Sequence, residues 1–151
     1  MKRSAGSIPA EMTGSLDFLI RDTRLLLTNQ IESLVAKQGI PLRIWFPLRV
    51  LYRNEGITQR ELGRMLGYGD AHAGVIVRVM QRRKLVRRQQ SKVDRRRIDL
   101  FLTDAGKKVA QQTLRQMQAI NERIVSGFSA TEAKTFQTLL MRAHENLKGR
   151  D

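Results

Sequence analysis

The stretch Ile57–Thr103, "ITQRELGRMLGYGDAHAGVIVRVMQRRKLVRRQQSKVDRRRIDLFLT", decides how this chain folds. It opens on Thr58-x-x-Glu61, the spacing of a capping box, in which threonine and glutamate satisfy each other's backbone donors at a helix start. Ile57 and Leu62 are placed to staple that start from outside. The helix is short, because Gly67 and Gly69 in "GYGD" interrupt it. Asp70 is placed to cap a second helix, Ala71 to about Arg83, whose Ala73, Ile76, Val77 and Met80 form one apolar stripe. Two short helices joined by a tight glycine-containing turn make a helix-turn-helix. The runs "LVRRQQ" (85–90) and "RIDLFLT" (97–103) then read as a β-hairpin around a charged turn. A helix-turn-helix followed by a hairpin is a winged helix.

The flanks extend this pattern with helices. From Ser15 the apolar residues Leu16, Leu19, Ile20, Leu26, Leu27, Ile31, Leu34 and Val35 recur at helical spacing until Gly39 and Pro41. A second helix carries Trp45, Leu48, Leu51 and Tyr52. Because proline is tolerated only in a first turn, Pro47 places its start near Ile44. Thr103 caps a long helix bearing Val109, Ala110, Leu114, Met117, Ile120 and Ile124. "SATE" (129–132) is a second capping box, opening a helix with Phe136, Leu139, Leu140, Ala143 and Leu147 on one face. Residues 1–14 lack a period and read as a flexible arm; 15–151 read as a single domain.

Composition restricts the partners. The chain has 28 Lys+Arg against 14 Asp+Glu, a formal net charge of +14, which points to a polyanion. No apolar run reaches the roughly 20 residues of a spanning helix, and the basic N-terminus has no apolar segment behind it, so neither a membrane span nor a secretory signal is expected. Cysteine is absent, which removes disulfides, thiol catalysis and thiol-based redox sensing. These properties suggest a soluble, cytoplasmic polyanion binder.

The charge is focused rather than spread. Ten Lys/Arg residues fall between Arg78 and Arg97, with Asp94 the only acid among them. Uniform solubilising charge would not concentrate there, so DNA contact is expected of the second helix and hairpin. Arg95, Arg96 and Arg97 follow Asp94 at the hairpin turn. Arginine suits the enhanced negative potential of a narrow minor groove, and an acid two residues earlier can hold the Arg96 guanidinium by a charge-assisted bond. Asp94 can equally be a turn residue with no further role.

The segment from Gly56 to Val109 resembles the MarR family of bacterial winged-helix transcriptional regulators. It shows T-Q-x-E-L, a recognition helix, a leucine-valine start to the wing, D-x-R at the wing tip and L-T-x-x-G after it. The resemblance implies a homodimer on a pseudo-palindromic double-stranded DNA, with Arg96 entering the minor groove and Asp94 positioning it. It implies dimerisation helices at 15–40 and 104–151 around a DNA-binding lobe at 44–103. Two departures stand out. Gly74 and Val75 occupy positions where the family often carries Ser/Thr and Arg, leaving His72 and Arg78 as the polar candidates for base reading. Lys84 replaces the usual glycine before the wing.

The expected architecture is therefore mainly α: a winged helix-turn-helix with a small β-hairpin wing and long N- and C-terminal dimerisation helices. Expected DNA-binding residues are Thr58 and Gln59 (phosphate, from the short helix's N-terminus), Ala71, His72, Gly74, Val75, Arg78 and Arg82 (recognition helix), and Lys92, Asp94, Arg95 and Arg96 (wing). His72 either donates to a base edge or is a surface residue. Trp45, Leu48 and Arg49 are candidates for a ligand pocket, with core tryptophan and solvent-facing arginine as the plainer alternatives. The resemblance suggests as effector an aromatic or phenolic acid, or its thioester, that releases a repressor from DNA. The competing function is a ligand-independent, weakly specific architectural DNA binder, favoured by the small residues Ala71, Ala73 and Gly74. No nucleophile–base pair, phosphate-cradling loop or metal spacing is present, so no enzyme, cofactor or metal is expected, and His144 reads as surface or interface. Nucleoid association follows from the DNA-binding reading.

Overall fold

The computed structural model describes residues 13–149, so all but the last two residues of the expected N-terminal arm lie outside the described residues. The chain forms two compact units, one ending at Arg115 and one beginning at Gln116.

In the first unit the order is α1 (Leu16–Ala36), α2 (Leu42–Arg53), β1 (Ile57–Thr58), α3 (Gln59–Leu66), α4 (Asp70–Arg82), β2 (Val86–Gln90), β3 (Ile98–Leu102) and the start of α5 (Asp104–Ile124). The three strands form an antiparallel sheet in the order β1-β3-β2. Thr58 pairs with Asp99 and Ile57 with Leu100, while Val86 faces Leu102 and Gln90 faces Ile98. This is a winged helix, as the sequence pattern requires. Its core joins Leu48 and Leu51 of α2, Leu62 of α3, Ile76, Val77 and Met80 of α4, and Leu100 and Leu102 of β3, all buried. Burying each such side chain contributes about 1.5–3 kcal/mol, which is what fixes α4 and the wing on one scaffold.

Several local expectations are met and some are corrected. Thr58 and Glu61 close a complete capping box, and the Thr103 hydroxyl accepts the Gly106 N–H at 3.0 Å. Asp70, however, is the first helical residue and Gly69 the N-cap, so Asp70 meets the helix dipole instead of capping a donor. Helix α2 begins at Leu42, two residues before the expected start, with Pro41 as N-cap and Pro47 inside it. Pro47 is buried among the core residues, and that packing outweighs the one helical hydrogen bond the ring removes. On β3, Ile98 is half exposed where the alternation expects it inward, because it is the strand's first residue, paired with Gln90 but beyond the reach of β1.

The joint from α4 to the wing bears directly on the interface. Lys84 takes φ 57°, the only non-glycine residue at positive φ among those described. Its N–H donates to the Gln81 carbonyl at 2.8 Å and the Leu85 N–H to the Met80 carbonyl at 2.9 Å, the two bonds of a Schellman motif. Lysine thus tolerates the left-handed conformation that glycine would take freely.

In the second unit α5 ends and α6 (Ala130–Leu147) follows, opened by a complete Ser129–Glu132 capping box. Phe128 and Phe136 meet edge to face with centroids 5.8 Å apart. Leu139, Leu140, Met141 and Leu147 of α6 are exposed.

Candidate nucleic-acid interface

The start of α3, the exposed side of α4 and the wing carry the candidate residues, and the sheet brings the first and last together. β1 runs straight into α3, and its pairing with β3 sets the N-terminus of α3 beside the base of the wing. Between them lies an open groove of about 540 Å³ lined by Thr58, Gln59, Arg60, Asp70, Arg88, Asp94, Arg96, Arg97 and Ile98. Four arginines from two distant stretches of sequence converge there against two acids. Such a concavity concentrates positive potential and attracts a polyanion backbone.

Within the groove the polar groups are unevenly committed. The Thr58 hydroxyl donates to Glu61 Oε2 at 2.9 Å and accepts the Glu61 N–H at 3.2 Å, so its proton is already used. The backbone N–H of Gln59 and Arg60, first-turn donors without intrahelical acceptors, are better placed for an anion. Glu61 is held below the ordinary carboxylate range, first by the Thr58 N–H, then by the Thr58 hydroxyl, with Arg97 a lesser cause. Gln59 Oε1 accepts from Arg88 at 2.7 Å, tying α3 to β2.

On α4 the residues Ala71, His72, Val75, Arg78 and Arg82 are exposed, as a reading helix needs. His72 stacks on Tyr68 with ring centroids 4.3 Å apart, which fixes the imidazole plane and leaves its edge outward. Gly74 does not belong with them. It is buried, and a Cβ there would lie 3.2 Å from Gln59 Nε2 and 3.4 Å from Arg78 Nη1. The missing side chain makes a notch that seats Gln59 and Arg78. Arg78, Gln81 and Arg82 line a second shallow depression.

The wing tip is built without glycine. Ser91 N–H donates to the Arg97 carbonyl and Arg97 N–H to the Asp94 carbonyl, each at 2.9 Å. Ser91 Oγ accepts from the N–H of Val93 and Asp94 at 3.3 and 3.4 Å. Asp94 Oδ1 accepts the backbone N–H of Arg96 at 2.9 Å, not its guanidinium. The acid therefore positions Arg96 through the main chain, as short acids do in turns. Lys92, Arg95 and Arg96 are exposed, and among the described residues their side chains make no ion pair. Arg97 differs: its guanidinium binds Glu61 and Asp99. Arg60, Arg88 and the Arg97 network escape a sequence reading. Arg60, one residue past Gln59 at the same helix start, was the one with a local signal.

The proposed pocket residues lie on α2. Leu48 is buried in the core. The Arg49 guanidinium carbon stands 4.9 Å from the Trp45 ring centroid, a cation–π contact. Trp45 Nε1 and Arg49 Nε are buried without a hydrogen-bond partner among the described residues. Burial, and then the charge of Arg53, push the Arg49 guanidinium below its ordinary value. Among the described residues no group of three or more His, Asp or Glu is placed to hold a metal, and no helix is long and apolar enough to cross a membrane.

Comparison with known proteins agrees with this geometry. The model of the MarR family matches residues 38–97, the helix-turn-helix and most of the wing. The chain is 26% identical over 98 residues to the uncharacterized HTH-type transcriptional regulator YybA of Bacillus subtilis, a match covering 65% of each protein and so just under two thirds of that relative. The MepR–DNA complex of Staphylococcus aureus superimposes with a TM-score of 0.79 at 20% identity, over 92% of this chain and 99% of that one. A MarR transcriptional regulator from Methanosarcina mazei gives 0.73 at 24% identity, over 86% and 96%. At these identities the structural likeness is one of fold. Fold and geometry together define a winged helix with a basic groove between its helix-turn-helix and its wing. Its helix-turn-helix and most of its wing fall within the stretch that is similar to the MarR family.

Proposed function

We propose that this protein is a cytoplasmic, nucleoid-associated homodimer that binds a pseudo-palindromic operator and acts as a repressor released by a small aromatic or phenolic acid, or its thioester. The observation that carries the DNA reading is the basic groove between the α3 N-terminus and the wing. In this reading α4 enters the major groove with Ala71, His72, Val75, Arg78 and Arg82, while Lys92, Arg95 and Arg96 follow the backbone into the adjacent minor groove. Dimerisation is supported by apolar side chains left in water: Leu16, Leu19, Ile20, Leu25 and Leu26 on α1, and Leu139, Leu140, Met141 and Leu147 on α6. Apolar exposure on that scale marks an interaction surface.

The effector reading rests on α2. Two buried donors lacking acceptors, each costing about 1–3 kcal/mol, lie at Trp45 and Arg49. A carboxylate would satisfy the guanidinium and restore its charge balance, and an aromatic ring would stack against the indole. For release, the acid must bind the DNA-incompetent shape more tightly than the competent one.

The test is fluorescence anisotropy on the upstream intergenic duplex and on a scrambled duplex across a salt series. Preference for the upstream duplex at physiological salt, lost on adding an aromatic acid and retained in Arg49→Gln, supports the whole reading. Equal binding to both duplexes, collapsing together as salt rises, supports instead an architectural DNA binder.

A further inference from the structure

Arg95, Arg96 and Arg97 look equivalent in sequence, yet the structure uses them differently. Arg95 and Arg96 are exposed, and among the described residues their guanidinium groups make no ion pair. Arg97 spends its guanidinium on four acceptors: Nε to Asp99 Oδ1 at 2.6 Å, Nη2 to Glu61 Oε2 at 3.1 Å and to the Gly56 carbonyl at 3.0 Å, and Nη1 to Glu61 Oε1 at 3.4 Å. Glu61 is the capping-box acid of α3, Gly56 directly precedes β1, and Asp99 lies on β3 opposite Thr58. One side chain thus ties together the start of the helix-turn-helix and the wing strand.

Its place in the chain matters. β3 begins at Ile98, so Arg97 is the last residue of the tip before the sheet takes hold. Beyond that point the wing has only its own hairpin bonds to direct it. An isolated surface ion pair holds little. A planar fork shared among two carboxylates and a carbonyl is geometrically specific, because each bond restricts the others. We propose that Arg97 is a positioning residue: it does not contact DNA but clamps the wing to the α3 cap, and so sets where Arg95 and Arg96 meet the backbone. This rests on the DNA-binding reading above.

The test uses the full chain with Arg97→Gln and Arg97→Lys, beside Arg96→Ala. If Arg97 is a clamp, both substitutions at 97 lower affinity for the upstream duplex alike, about tenfold. Lysine fails to rescue because it keeps the charge and loses the fork. The slope of log affinity against log salt stays at the wild-type value in Arg97→Gln, whereas Arg96→Ala makes it shallower by about 0.9, the share of one phosphate contact. In the DNA-free protein, hydrogen exchange of the 91–97 amides quickens in both Arg97 variants. A shallower slope in Arg97→Gln with near-normal affinity in Arg97→Lys would make Arg97 a phosphate ligand and overturn the proposal. Lower melting temperature with unchanged affinity would make it merely structural, also overturning it. Should Arg97→Gln fail to fold, the lysine variant still decides. If the wild type binds neither duplex, the regulator reading falls, and hydrogen exchange alone judges the clamp: unchanged wing exchange rejects it.

Discussion

Lys84 offers a measurement in which the backbone conformation alone decides the sign. It sits at φ 57° in the left-handed position of a Schellman motif, between α4 and the wing. A side chain in that region costs roughly 1–2 kcal/mol, and glycine escapes the cost. Against this, glycine loses about 0.5–1 kcal/mol more than alanine on folding, because its unfolded chain is freer. The balance favours glycine over alanine by about 0.5–1 kcal/mol. Comparing Lys84→Gly with Lys84→Ala removes the lysine charge from both sides, so relief of repulsion from Arg82, Arg83, Arg87 and Arg88 cancels. For a chain of 151 residues the difference corresponds to about 1–4 °C in Tm. It should be read by urea and thermal unfolding at one fixed concentration, since association as proposed would make stability depend on it. The interactions of the joint are main-chain, including the Thr103 hydroxyl bond to the Lys84 carbonyl at 2.7 Å, so both variants keep them. At an ordinary helical position the order reverses, with alanine better by about 1 kcal/mol. Alanine equal to or above glycine would refute the left-handed joint.

Other substitutions separate folding from reading. Gly106→Ala places a Cβ 2.0 Å from the Leu85 carbonyl oxygen, which also accepts the Thr103 N–H; backbone must move, and a loss of about 3 kcal/mol or more is expected by chemical denaturation. Gly74→Ala meets only the flexible tips of Gln59 and Arg78, so the fold should gain about 1 kcal/mol while discrimination between upstream and scrambled duplexes falls in anisotropy titrations. Arg96→Ala should weaken DNA binding and leave Tm nearly unchanged, since the side chain is exposed and makes no ion pair among the described residues; normal operator binding would remove the wing from the interface. Glu61 and Glu132 both titrate below the usual carboxylate range because of their capping-box donors. Their stabilisation is therefore complete above the unfolded carboxylate value and lost as pH falls through the lower folded value; in an acid titration followed by circular dichroism, Glu61→Gln should flatten that loss.

The winged helix was legible because each of its signals is local. Thr58 and Glu61 stand three residues apart, Gly67 and Gly69 break the chain within one turn, and the hairpin alternation runs over a few residues. The misreadings arose where a distant partner overrides local preference. Pro47 argues for a helix start by itself, but the core that buries it keeps the helix running through it. At Lys84 the sequence leaves open whether the turn avoids positive φ or tolerates it at a cost, and Thr103, nineteen residues on, helps to hold it there.

The interface shows the same division more sharply, because charge is legible in sequence and commitment of charge is not. Ten basic residues between Arg78 and Arg97 point to a polyanion partner, and three of them, Arg88, Arg96 and Arg97, line the groove in the structure. Nothing in "DRRR" says that the first arginine lends its carbonyl to Gln90, the second its N–H to Asp94, and the third its whole guanidinium to Glu61 and Asp99. The first two are bonds within the wing, but the reach of Arg97 to Glu61 depends on β1 pairing with β3, a contact across some forty residues. A cation already held by two carboxylates is a poor ligand for a third anion, since binding phosphate would mean giving up bonds it has. The arginines to expect on DNA are those the fold leaves without acids, and the one it fully engages governs where they stand.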